Sequence, residues 1–84
     1  MDLDAYVAAH RAEWARLESL LGSASRPRRL SGAEVDELVD LYQRVATHLS
    51  VVQSIGRDPA LVGRLSSLVA RARGVVAGGR RATS

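Results

Sequence analysis

The sequence contains no cysteine, which excludes disulfide staples and thiolate metal sites together. It contains no lysine either: all 12 basic residues are arginine. They stand among abundant Ala, Val, Leu and Gly, all residues with GC-rich codons. Arginine richness is then partly a codon effect, and the net charge of +3 and the pI near 10.6 carry less weight for nucleic-acid binding than their size suggests. Aromatic residues are confined to Tyr6, Trp14 and Tyr42, so the core must be mostly aliphatic. No run approaches the roughly 18 apolar residues of a membrane span. The acidic start, MDLDAY, lacks the basic beginning and apolar stretch of a secretion signal, and it reads as a cytoplasmic start.

With 84 residues, 46% of them hydrophobic, the chain has material for one small domain with a single core. Leu3, Val7, His10, Trp14, Leu17 and Leu21 recur in alternating steps of four and three, the apolar stripe of an amphipathic helix, with Asp2 placed as its cap. The segment GSASRPRRL ends that helix and forms a basic loop. Ser31 and Glu34 make an S-x-x-E capping box, flanked by Leu30 and Val35 as a hydrophobic staple. From there Val35, Leu38, Tyr42, Val45, Leu49 and Val52 form a second stripe. Asp40 precedes Arg44 by four residues, the stabilising order for an ion pair, and Gly56 stops the helix. Asp58-Pro59 opens a third helix, with Leu61, Val62, Leu65, Leu68, Val69, Ala72 and Val76 on its buried face and Gly78-Gly79 as its end.

The pattern predicts an all-α fold, an antiparallel three-helix bundle with helices at about 3–22, 32–55 and 59–77, crossing at about 20°. Residues 1–79 make up the bundle, and residues 80–84 a disordered basic tail.

Polar residues within the stripes are candidates for chemistry. His10 lies inside the first stripe, and His48 at the edge of the second. Antiparallel packing brings the two toward one level, so a two-histidine metal site is conceivable. A zinc site needs about four ligands, however, and no carboxylate obviously joins them. There is no nucleophile elbow, Gly-rich phosphate loop or HExxH motif, and three packed helices leave little room for a substrate pocket. No catalytic, cofactor-binding or metal-ligating residue is assigned, no small-molecule substrate is expected, and the chain reads as non-enzymatic. Tyr42, Arg44 and His48 read as groups that fix the register of the bundle.

Two surface features remain. Arg26, Arg28 and Arg29 in the first loop and Arg80 and Arg81 in the tail should share one pole, a basic cluster suited to an anionic membrane surface. Gly63, Ser67, Ala70 and Gly74 line one side of the third helix, with Arg64 and Arg71 along its edge. Glycine inside a helix costs about 1 kcal/mol relative to alanine, so this side is a candidate docking face for another helix.

Three blocks, DLDAYVAAHRAEWARLESLL, LSGAEVDELVDLYQRVATHLS and DPALVGRLSSLVARARGVV, together resemble the amino-terminal region of actinobacterial stage II sporulation protein M-like membrane proteins. The resemblance covers nearly the whole chain. It implies a cytosolic helical segment that precedes several membrane spans, at the inner face of the plasma membrane. The spans themselves are lacking here, so the chain would be an excised or truncated part of a longer protein. The function it implies is a non-catalytic protein-interaction domain, with a protein partner, the membrane portion of the same protein or a second copy as the binding surface. A free-standing helical adaptor or homodimer is the alternative reading. A small basic nucleic-acid binder is a third, disfavoured because the helices do not suit a helix-turn-helix reader and stacking aromatics are missing.

Overall fold

Three local signals decide where the helices begin. Asp2 accepts the backbone N–H of Asp4 through its side chain (3.1 Å) and that of Tyr6 through its carbonyl (3.1 Å). Ser31 Oγ accepts the Glu34 N–H while the Glu34 carboxylate accepts the Ser31 N–H, the complete reciprocal box. Asp58 accepts from Leu61 through its carboxylate and from Val62 through its carbonyl. The side-chain acceptors satisfy backbone donors that the first helical turn leaves without partners, and the carbonyl bonds begin the helical ladder. The resulting helices are α1 (Leu3–Ala24), α2 (Gly32–Ile55) and α3 (Pro59–Ala82). The computed structural model describes residues 2–24 and 30–82, with 78–82 given by their backbone alone.

α2 ends at Gly56, whose left-handed backbone (φ 67°) returns its N–H to the Val52 carbonyl. Glycine adopts that conformation without the steric cost of a Cβ. Gly78 and Gly79, expected to stop α3, do not: the helix runs through them to Ala82, so residues 80–82 are helical rather than a disordered tail. Glycine only weakens a helix interior, and here it is followed by arginine and alanine, both good helix formers. α1 likewise continues past Gly22 to Ala24.

The three helices pack as an antiparallel bundle. His10 meets His48, Glu13 meets Arg44 and Arg16 meets Glu37, so α2 descends as α1 rises. The connection at residues 56–58 is too short for anything but a reversal into α3. Every helix touches the other two, in a body of 43 × 19 × 18 Å. The interior is filled by Trp14, Leu17, Leu20 and Leu21 from α1, Leu38, Leu41, Val45 and Val52 from α2, and Leu61, Leu65, Leu68, Val69 and Ala72 from α3. Burying one such leucine contributes about 1.5–3 kcal/mol, so this aliphatic interior dominates the stability.

The α2 stripe is rotated from its expected setting. Leu41 and His48 are buried, whereas Tyr42 and Leu49 are only half-buried and Val35 is 46% exposed. Each helix of the bundle faces two neighbours, so its apolar face is broad and periodicity alone does not choose between adjacent positions. Among the described residues no helix is long and apolar enough to cross a membrane.

Candidate functional site at the histidine cluster

One turn apart on α1, Tyr6, His10 and Trp14 present their rings toward α2. His48 comes from the opposite helix and meets all three. Its ring centroid lies 4.1 Å from that of His10 (tilted by 35°), 5.9 Å from Tyr6 and 6.0 Å from Trp14, the last two edge to face. The Trp14 indole donates its Nε1–H to His48 Nδ1 at 2.9 Å. Trp14 is fully buried and His48 is 7% exposed, so His48 belongs to the core rather than to the border of a stripe. His10 pairs with Glu13 of its own helix (Nδ1 to Oε1, 2.9 Å) and contributes a ring contact across the interface.

Glu13 completes the cluster. Its second oxygen lies 3.6 Å from Arg44, which also makes the anticipated pair with Asp40 at 2.9 Å. The hydrogen bond from His10 is the main reason the Glu13 carboxyl is held below its ordinary range, with the charges of His48, His10 and Arg44 adding to it against the opposing effect of burial. Burial is the main reason His48 is held below the usual histidine value of 6.5. The neighbouring His10 and Arg44 push it the same way, and Glu13 opposes them. The Tyr6 phenol is raised, first by burial and then by Glu13.

A carboxylate therefore does join the two histidines, contrary to expectation: His10, Glu13 and His48 each offer a ligand-type atom within 4.8 Å of the others. The signal was the i, i+3 spacing of His10 and Glu13, which puts both on one side of the helix. The bonding pattern is nevertheless unsuited to a cation. An indole N–H can only donate, so it occupies the Nδ1 lone pair of His48. The neutral ring then carries its proton on Nε2 and has no second lone pair to offer. Ligation by His48 would require Trp14 to give up its partner inside the core, at a cost of about 1–3 kcal/mol. We assign no metal to the cluster.

Elsewhere, Arg16 grips Glu37 through two hydrogen bonds of 2.8 Å across the α1–α2 interface, and Arg73 donates to the Tyr42 hydroxyl at 3.4 Å across α2–α3. Neither pair was anticipated, because each depends on which helix faces lie opposite one another. On α3, Gly63, Ser67, Ala70 and Gly74 are all exposed, as are Arg64 and Arg71. A Cβ added at Gly63 or Gly74 would meet nothing within 4 Å. Arg26, Arg28 and Arg29 lie outside the described residues, and so do the side chains of Arg80 and Arg81. Topology sets the C-terminal ends of α1 and α3 at the same pole.

Fold and cluster together define a small all-α bundle whose polar interior groups are bonded to one another. The chain belongs to the family described as a domain of unknown function (DUF8413), whose profile matches residues 4–78. No curated protein and no solved structure matches it.

Proposed function

We propose that this bundle is a non-catalytic interaction domain of a stage II sporulation protein M-like membrane protein, held at the cytoplasmic face of the plasma membrane. The membrane-protein part of the reading rests on the resemblance of the three sequence blocks; what carries its non-catalytic part is the inward bonding of the histidine cluster. The Trp14 N–H takes up the Nδ1 lone pair of His48 across α1–α2, His10 takes up one Glu13 oxygen within α1, and Arg44 pairs with the other across the seam, so the groups best suited to acid–base work are engaged in the bundle's own contacts. The exposed side of α3 adds to it: four small residues with open space at both glycines permit close approach of another helix, from the membrane portion, a partner protein or a second copy. Arg26, Arg28, Arg29, Arg80 and Arg81 would face anionic headgroups, in keeping with the excess of basic residues on cytoplasmic flanks.

The test is cross-linking and light scattering of the chain, alone and within the longer parent protein, with and without Gly63→Leu. The expected result is a folded variant whose association falls about tenfold or more, corresponding to roughly 1.4 kcal/mol of binding. Unchanged association in both settings would reject the α3 face as the docking surface. A reading frame with no hydrophobic spans would reject the membrane-protein assignment.

A further inference from the structure

We propose that the Trp14–His48 bond is an acid-labile latch: protonation of His48 opens the α1–α2 seam, making the domain responsive to mild acidification. The geometry requires it. The Trp14 N–H has no acceptor role, so the nitrogen that faces it at 2.9 Å must carry a lone pair. A proton placed on Nδ1 sets two N–H groups against each other. With Trp14 at 0% exposure and His48 at 7%, neither can turn to water while the seam stays closed.

The surroundings do not compensate the new charge. From α1, Tyr6 and His10 press their rings against His48, and Glu13 favours the cation but is already engaged by His10 and Arg44. From α2, Arg44 opposes it, itself paired with Asp40. Among the described residues, α3 buries only Leu61, Leu65, Leu68, Val69 and Ala72, none of which carries a charge. Burial and the adjacent His10 hold native His48 below the ordinary 6.5, so as pH falls the unfolded chain takes up the proton first. Stability is therefore complete above about pH 6.5 and declines below it until the native ring titrates, by up to about tenfold in the unfolding constant per pH unit.

Trp14 is the sole tryptophan, so its fluorescence reads the latch directly during urea unfolding between about pH 5 and pH 8. The native chain should lose stability below about pH 6.5. His48→Gln, whose amide oxygen accepts the indole N–H without titrating, should be flat over that range. Glu13 does not confound the window, because its carboxyl titrates below 4.5. A flat native profile, or an unchanged slope in His48→Gln, overturns the latch. Should that variant fail to fold, the His48 ring resonance of the native protein decides the matter by NMR. A midpoint below 6.5 supports the latch, and one at or above 6.5 overturns it.

Discussion

A histidine 7% exposed in an aliphatic core must account for two ring nitrogens, and His48 settles one of them with the buried indole of Trp14. Its neighbour Glu13 shows the complementary case, a carboxylate whose charge is favoured by the His10 hydrogen bond and by Arg44. A carboxyl held low in the folded state stabilises the fold above its ordinary value of 4.5. That contribution is lost as pH falls through the folded value. Glu13→Gln should therefore shallow the acid limb of the stability profile below about pH 4.5. The limb will not vanish, because hydrogen bonds from Ser31 and Arg16 also hold Glu34 and Glu37 low. Urea midpoints at a series of acid pH values check this, and an unchanged slope would contradict it.

The helix boundaries depend on short-range chemistry. Ser31→Ala removes the acceptor of the Glu34 N–H and should cost about 1 kcal/mol. Gly56→Ala places a Cβ on left-handed backbone (φ 67°) and should cost about 1–2 kcal/mol. Thermal unfolding measures both, and a variant as stable as the native chain would contradict its assigned role. These caps were legible in the sequence because each involves residues within a few positions of one another. The facing of α2 was not legible in the same way. Choosing Leu41 over Tyr42 and His48 over Leu49 requires knowing where α1 and α3 lie. The i, i+3 spacing of His10 and Glu13 was legible, but that this carboxylate lies beside His48 depends on how α1 and α2 pack. Gly78 and Gly79 misled because glycine is both a helix stop and a tolerated helix interior.

At the scale of the whole molecule, an aliphatic interior supplies most of the stability. The Trp14–His48 bond adds a polar link that fixes which residues of α1 and α2 lie level. The central claim is that this cluster keys the bundle together rather than serving as a reactive centre. A double-mutant cycle in equilibrium unfolding tests it most directly, with Trp14→Phe, His48→Leu and both together. Each single variant leaves one buried polar group without its partner, costing about 1–3 kcal/mol beyond any packing loss, whereas the double variant removes both groups. The account predicts that the double variant is more stable than the sum of the single losses implies, by at least about 1 kcal/mol. Losses that add to within about 0.5 kcal/mol would contradict it.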